Sequence, residues 1–487
     1  MISPVELFVI GLAAYLAAAV LALLFDSKPK LANVVSMASS AIASVAVACA
    51  SAIVMETGKP VVLGPYRVVV AEAPLTVYID SLSASFVFAV ATLTFAISIF
   101  SVGYLKMFYG ERSIGYFGTF YNAFIFSMIM TCCTDNVLWF LFFWELMTAS
   151  SYFLVIYEDT PDVRRIGYLY FILMHVGFAC IAVSLVLTVL TSGSWSLLKV
   201  DPHTIEPGVK TAILALALIG FGMKLGLVPL HVWLPEAHPA APSNVSALLS
   251  GVMLSMGLYG LTRISLALQA NMEWWYSAIA ILAVLSVAVG VLCMPAQMDF
   301  KRLLAYSSIV EMGLASLSLS YYLAGSQLGL KAMLMHVVNQ AYAKGALFAL
   351  SGLLLYCAGT KRLSDIRGLW DANPLVAAVL LAAALDIMGL PPFGCFFSKA
   401  YIVLSGFNPA LGLWAPLAAS ASLAIEVVCF AWFLRVVQHA VMGEPSEAMQ
   451  KLRGKSPRAM LAGLLVLVLL CVVSGFVSLY LIGGVRI

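Results

Sequence analysis

Charged side chains are scarce in this sequence: only 10% of its 487 residues are Asp, Glu, Lys or Arg, against about 25% in an average soluble domain. Hydrophobic residues make up 63%, and the mean hydropathy is +1.02. Almost every stretch between charges is therefore long enough to cross a bilayer, which takes about 20 residues. This composition excludes a soluble enzyme, a disordered chain and a nucleic-acid-binding protein, which needs basic surface patches.

The nine cysteines lack the spacing of a redox or metal site. All of them fall inside apolar segments and none forms Cys-x-x-Cys, so the sequence predicts neither a disulfide framework nor an iron–sulfur or zinc ligand set. We expect no cofactor on this chain. The first apolar run, residues 5–24, has its lysines after it, and we interpret it as a transmembrane helix rather than a secretory signal.

The hydropathy pattern predicts an all-α polytopic membrane protein with about fourteen transmembrane helices in the bilayer. Their predicted ranges are 4–25, 31–54, 77–103, 113–131, 134–157, 166–191, 209–231, 241–267, 273–295, 303–323, 327–356, 373–403, 412–436 and 459–482. Residues 58–78, after the second helix, are rich in Val and Pro with a period of two, which predicts a short hairpin on the membrane surface.

The distribution of lysine and arginine predicts that both termini lie outside the cell. In that orientation the inner connections hold 16 Lys and Arg, Lys301 among them, and the outer side holds 7. The remaining three are Lys224, Lys344 and Lys399, and each of them is predicted to lie in the middle of an apolar helix.

These three lysines need compensation, because an ionised lysine at the centre of a spanning helix costs about 2.5–3.5 kcal/mol on insertion scales. The same apolar segments contain four acids, Glu145, Glu311, Asp386 and Glu426. Each could form a buried salt bridge that fixes helix register, or belong to a proton relay. Seven ionisable residues on six helices favour the relay.

A relay works because neighbouring sites change each other's proton affinity: burial favours the neutral forms, and a nearby opposite charge favours the charged forms. Histidines can carry protons between such sites. Of His175, His231, His238 and His336, we select His231 and His336 as relay candidates.

Proline and glycine interrupt two of the predicted helices. Residues 228–242 hold four prolines after the seventh helix, and residues 389–394 interrupt the twelfth. Broken helices near ionisable residues, in corresponding halves of a membrane chain, point to an ion path. We predict two inverted five-helix repeats with broken helices 7 and 12. The predicted division is 1–112 (helices 1–3 and the hairpin), 113–267 and 273–436 (the repeats), and 437–487 (an inner connection and helix 14).

Six short motifs stand out: WELM at 144–147, SSY at 150–152, GMK at 222–224, VPLHVWLPEAHP at 228–239, DFKRLLAYSS at 299–308 and GLPPF at 389–393. Together they resemble the antiporter-like subunits of respiratory complex I, Mrp-type cation/proton antiporters and membrane-bound nickel–iron hydrogenases. The resemblance covers about residues 75–440, and over 152–175 and 235–250 it is closest to formate-hydrogenlyase-type hydrogenase subunits.

The resemblance implies a fourteen-helix proton-translocating subunit of a prokaryotic cell membrane, with other membrane subunits and hydrophilic redox subunits as partners. By motif position it implies a role for six residues: Glu145 as the fifth-helix glutamate that modulates Lys224 on the seventh helix, Lys344 as the eleventh-helix lysine, Lys399 as the twelfth-helix gate, and His231 and His336 as relay histidines.

Three positions depart from the family pattern. Ser255 stands where the family usually has Lys, Gln340 where it usually has a second His, and Asp386 where it usually has Ser. Because Ser and Gln hold no charge, the central relay loses two titrating sites and gains an acid. We treat these three residues, with Glu311 and Glu426, as modifiers of the relay.

Three functions remain open. The first is a proton-translocating subunit of a redox-driven complex of the hydrogenase or NADH/quinone oxidoreductase type. The second is a sodium/proton antiporter subunit of the Mrp type, in which Asp386 and Glu311 could offer oxygen ligands to Na⁺. The third is a non-pumping structural subunit, which the losses at Ser255 and Gln340 favour. The retention of Glu145, Lys224 and Lys399 favours the first.

Overall fold

The structure, a computed structural model, describes residues 3–67, 73–455 and 457–483. In this part of the chain thirteen helices are long and apolar enough to cross a membrane, and the predicted twelfth span is divided into two shorter helices. The helices that bear on function are α1 Pro4–Leu24, α2 Pro29–Thr57, α3 Ser81–Tyr104, α4 Ile114–Cys133, α5 Val137–Val155, α6 Pro161–Ser192, α7 Pro207–Leu225, α8 Leu234–Ala240, α9 Ser243–Ala267, α10 Glu273–Cys293, α11 Phe300–Leu323, α12 Gln327–Ala358, α13 Pro374–Ile387, α14 Gly394–Gly406, α15 Trp414–Val441 and α16 Arg458–Gly483. The prediction of an all-α polytopic membrane protein is confirmed.

Local sequence signals set several of these boundaries. Ser3 and Glu6 form a reciprocal capping box at the start of α1. Asn136 and Thr160 cap the starts of α5 and α6 with their side-chain oxygens. At the end of α2, Gly58 takes a left-handed conformation with a φ of 65°, which stops the helix without a side-chain clash.

The predicted hairpin is present. Strand β1, Val61–Tyr66, pairs antiparallel with strand β2, Leu75–Ile79, so that Val61 faces Ile79. Residues 68–72 of the predicted segment lie outside the described residues. The predicted start of the third helix at 77 is wrong, because residues 75–79 belong to β2 and Asp80 caps a helix that begins at Ser81.

Both predicted helix breaks are present, but the first comes earlier than expected. Helix α7 ends at Leu225 and not near 231, because Gly226 adopts a φ of 74° and turns the chain before the prolines are reached. The chain resumes as the short helix α8. The second break separates α13 from α14, with Gly389 at a φ of 75°.

An unpredicted irregularity lies inside α9, where residues Leu249–Met253 form a π-helical segment. A Cβ at Gly251 would clash with Leu93 and would lie 3.2 Å from the carbonyl oxygen of Ala341. The glycine therefore allows α12 to approach the π segment closely. Sequence periodicity gives no signal for one extra residue within a helix that is buried on all sides.

The helices divide into an inner and an outer set. Helices α9, α11 and α12 are almost entirely buried by their neighbours, whereas α1, α6 and α15 expose most of their surface. Polar residues on α11 and α12 therefore lie in the protein interior. Each predicted five-helix unit contains one of the two broken helices, but the inverted relation between the units stays a prediction.

Candidate functional site

The first ionisable pair joins α5 to α6. Glu145 Oε1 lies 2.7 Å from His175 Nε2, and His175 Nδ1 lies 2.9 Å from the carbonyl oxygen of Phe171. A carbonyl and a carboxylate only accept hydrogen bonds, so both ring nitrogens face acceptors. The two contacts require a proton on each side of the ring, or a proton on Glu145.

This pair is less buried than the sequence suggests. The side chains of Glu145 and His175 are 32% and 35% exposed, on the outward-facing side of α5 and α6. The interpretation of Glu145 as an interior charge is thus only partly right, because α6 leaves this side of α5 partly open.

Lys224 lies at the end of α7 and not in the middle of a helix as predicted. Its side chain is 2% exposed, and its Nζ donates a hydrogen bond of 3.3 Å to Thr148 Oγ1 on α5. The ammonium lies 5.9 Å from the ring centre of Trp144. Among the described residues Lys224 has no ion-pair partner within 4.0 Å, and Glu145 contacts His175 instead. Lys224 lies in the last turn of α7, where the helix dipole favours a cation.

The second ionisable cluster joins four helices. Glu311 on α11 lies between a lysine and a histidine: its Oε1 is 3.1 Å from Lys399 Nζ on α14, and its Oε2 is 3.0 Å from His336 Nε2 on α12. Lys399 Nζ also lies 2.6 Å from Glu426 Oε2 on α15. Glu311 and His336 are almost completely buried, and Lys399 and Glu426 are each 14% exposed.

The end of α13, at the second helix break, supplies the third hydrogen-bond acceptor of Lys399. The Lys399 ammonium donates a hydrogen bond of 2.8 Å to the carbonyl oxygen of Ile387, the last residue of α13. A helix end leaves its last carbonyl groups without intrahelical partners, so the break offers an acceptor at this depth. The three N–H groups of Lys399 are thereby all used.

A separate set of hydrogen bonds joins α9, α11 and α12 around Lys344. Lys344 Nζ donates to Ser307 Oγ and, at 3.3 Å, to the carbonyl oxygen of Leu304. The next residue on α11, Ser308, lies 2.7 Å from Ser250 Oγ in the π segment. Gln340 Nε2 donates at 2.7 Å to the carbonyl oxygen of Gly251 in the same segment.

Helix periodicity aligns these groups on facing surfaces. On α12, His336, Gln340 and Lys344 are four residues apart, so they lie on one face about 6 Å from each other along the axis. On α11, Ser307 and Glu311 have the same spacing. We call the set Lys344, Ser307, Gln340, His336, Glu311, Lys399 and Glu426 the polar ladder. Its members on each helix are one helical turn apart.

Five predicted site residues are not part of the polar ladder: Glu145 and Lys224, described above, Asp386, described below, and Ser255 and His231. Ser255 donates its hydroxyl hydrogen bond to the carbonyl oxygen of Val252, 2.6 Å away in its own helix. His231 lies in the turn after α7, is partly exposed, and its Nδ1 has no hydrogen-bond partner among the described residues.

Asp386 caps the helix that follows the second break. It is completely buried, and its Oδ1 accepts a hydrogen bond of 2.9 Å from the backbone N–H of Cys395, in the first turn of α14. A carboxylate at a helix N-terminus satisfies one of the free N–H groups and interacts favourably with the helix dipole. The extra acid is thus placed as a helix cap across the break.

This placement predicts different effects for two substitutions of Asp386. The change Asp386→Asn keeps an acceptor oxygen, so we expect ion translocation close to wild type. The change Asp386→Ala removes the acceptor and should lower stability by about 0.5–2 kcal/mol. Thermal unfolding of the purified protein and transport in vesicles check both. A large transport loss in Asp386→Asn with unchanged stability would mean that the acid itself titrates during transport.

The structure adds three residues that the sequence did not select. His175 is the partner of Glu145. Lys301, assigned above to an inner connection, is 2% exposed and donates at 2.6 Å to the carbonyl oxygen of Ala241. His238 is completely buried against Phe348, and neither ring nitrogen has a hydrogen-bond partner among the described residues. Hydropathy misses them because Lys301 and His238 lie near helix ends, and His175 resembles any lone histidine in an apolar helix.

Comparison with protein families gives two matches. Residues 134–424 match the family described as NADH:quinone oxidoreductase/Mrp antiporter, TM. Residues 70–117 match the one described as NADH-Ubiquinone oxidoreductase (complex I), chain 5 N-terminus. The matched ranges contain all but one of the predicted site residues, since Glu426 lies two residues beyond the end of the longer match.

Comparisons with individual proteins agree with these family matches. The chain is 33% identical over 420 residues to Hydrogenase-4 component B of Escherichia coli K12, which covers 82% of this chain and 62% of that protein. It is 28% identical over 453 residues to NADH-quinone oxidoreductase subunit N of Desulforudis audaxviator, covering 86% of each. Its fold is similar to a chain of the Mrp complex from Dietzia sp. DQ12-45-1b, with a TM-score of 0.86 and 19% identity over 99% of this chain and 96% of that chain.

Proposed function

Because the chain belongs to the NADH:quinone oxidoreductase/Mrp antiporter transmembrane family, we propose that it is the proton-translocating subunit of a redox-driven membrane complex. Protons pass along buried Glu, Lys and His side chains, and partner subunits carry out the electron transfer. The partners are other membrane subunits and hydrophilic redox subunits. The complex lies in the cell membrane of a prokaryote, with both termini of this chain outside.

The polar ladder is the observation that carries this proposal. It places two lysines, two glutamates and a histidine on adjoining helices, with a serine and a glutamine between them. Most of these side chains are buried in the protein. Each ionisable member can hold or release a proton when its neighbour changes charge. Such groups are expensive in a membrane and mark proton or ion pathways more often than simple bracing.

The sodium/proton antiporter alternative finds less support in the geometry. Asp386 and Glu311 were its candidate ligands, but Asp386 Oδ1 accepts from Cys395 N–H and the two oxygens of Glu311 face Lys399 and His336. Among the described residues no group of three or more His, Cys, Asp or Glu is arranged to hold a metal ion. A structural role does not account for Lys224, which braces no acid.

Transport by the purified complex in sealed vesicles tests the proposal. When the complex turns over with its electron donor, the pH inside the vesicles should change, in a direction set by the orientation of the complex. A trapped pH-sensitive dye reads this change. Radioactive sodium should not accumulate in the same vesicles. The change Glu145→Gln should slow proton movement at least about tenfold, because the Glu145–His175 pair can no longer store its proton. The change Glu158→Gln, just beyond α5, is the matched control. Sodium accumulation that proceeds without proton movement would overturn the assignment.

A further inference from the structure

Lys301 is a buried lysine that the proton path described above does not use. It lies in the first turn of α11 and is 2% exposed, and its ammonium donates a hydrogen bond of 2.6 Å to the carbonyl oxygen of Ala241, directly after α8. Among the described residues no carboxylate lies within 4.0 Å of this ammonium. A buried charge without a counter-ion is costly in a membrane protein and points to an ion path.

A cavity of about 610 Å³ lies at the surface where α12 ends and α11 begins. Its lining includes Asp299 and Lys361, whose charged groups are 3.5 Å apart. The Lys361 ammonium also donates a hydrogen bond of 3.2 Å to the carbonyl oxygen of Pro239. Pro239 and Ala241 are two residues apart, so the end of α8 contacts both Lys361 at the cavity and the buried Lys301. Both lysines lie on the side that we predict to be the inner one.

The polar ladder begins one helical turn from Lys301. Lys344 Nζ donates a hydrogen bond of 3.3 Å to the carbonyl oxygen of Leu304, three residues after Lys301 on α11. His238, near the end of α8, stacks on Phe348, which is one turn from Lys344 on α12, with ring centroids 4.9 Å apart. Contacts through α8 and α11 thus place Lys301 between the cavity and Lys344.

On the basis of the function proposed above, we propose that Lys301 passes protons between this cavity and Lys344. The Lys301 ammonium releases a proton to Lys344 when that amine is neutral, and the neutral Lys301 amine then takes a proton from the aqueous phase at the cavity. Each cycle moves one proton and changes no other bond. In a purely structural role, Lys301 would only hold a free carbonyl group at the end of α8, as lysines do near other helix ends.

Two substitutions of Lys301 separate these roles. Lys301→Gln keeps an N–H donor for Ala241 but carries no exchangeable proton, and Lys301→Arg keeps the charge and the donors but does not release its proton. We expect each variant to slow dye-read proton movement in vesicles at least about tenfold, with a melting temperature close to wild type. Lys451→Gln, which changes an exposed lysine on the same side, is the matched control and should alter neither quantity.

The outcomes distinguish this proposal from the proposed function. A structural role predicts that Lys301→Arg transports at the wild-type rate. That rate in either Lys301 variant would overturn the proposal and leave the proposed function standing, because other residues would then carry the protons. A wild-type complex that moves no protons would instead overturn the proposed function.

Access from the cavity is read without any transport measurement. In the purified complex, a Lys301→Cys variant should react with a trimethylammonium-ethyl methanethiosulfonate reagent, as detected by mass spectrometry, whereas the completely buried native Cys395 should not. Adding Met298→Trp, at an exposed position that lines the cavity, should slow this reaction, whereas Met442→Trp, also exposed but outside the cavity, should not. A Lys301→Cys variant that is as unreactive as Cys395, or that reacts equally fast with either tryptophan, would overturn the proposal.

Discussion

The change Lys224→Met is expected to abolish proton translocation while the protein stays as stable as wild type, or becomes more stable. Among the described residues the ammonium contacts only Thr148 and the face of Trp144, so its removal leaves no buried acid without a partner. An isolated lysine at this depth costs about 2.5–3.5 kcal/mol on insertion scales, and methionine removes that cost. The expected loss in transport rate is on the order of 100-fold, the lower end of what a positioned acid or base contributes.

Dye-based proton uptake in vesicles and the melting temperature of the purified complex measure these two effects separately. Lys210→Met is the matched control, because Lys210 lies near the other end of α7 and is partly exposed. We expect it to change neither quantity. If Lys224→Met unfolds the complex, or transports at the wild-type rate, Lys224 is a brace or a bystander and not a relay residue.

The change Lys399→Met is expected to abolish translocation and to destabilise the protein as well. It leaves Glu311 and Glu426 facing each other without the cation that separates them. Removing one partner of a buried ion pair typically costs about 3–5 kcal/mol, because the remaining charge is uncompensated. Both lysines lie in apolar sequence, yet the same substitution should affect stability differently. Lys399→Met should destabilise the protein, whereas Lys224→Met should not.

A second substitution tests the reason for the destabilisation. Adding Glu311→Gln to Lys399→Met removes one of the two stranded carboxylates and should recover much of the lost melting temperature, but none of the transport. A double variant that is less stable than Lys399→Met would show that Glu311 is held mainly by His336 and not by Lys399. Transport in the double variant at the wild-type rate would remove Lys399 and Glu311 from the proton path.

Hydropathy, breaks and motifs predicted the class of this protein because each is a local property of the chain. An apolar run of about 20 residues crosses a bilayer whatever its neighbours are. The prolines of 228–242 and the glycines and prolines of 389–394 interrupt a helix whatever packs against it. For the same reason the scarcity of charge was enough to single out Lys224, Lys344, Lys399, Glu311 and Glu426.

The tertiary structure decided which of these residues meet, because that depends on how each helix is rotated and which helix lies beside it. Glu145 could have paired with Lys224, but it faces His175 on α6. Asp386 has the chemistry of a relay acid, yet its position across the break makes it the cap of α14. The π segment in α9 turns Gly251 toward Gln340, and one-dimensional periodicity contains no trace of it. The sequence determined which chemical groups enter the membrane, and packing between helices determined their partners.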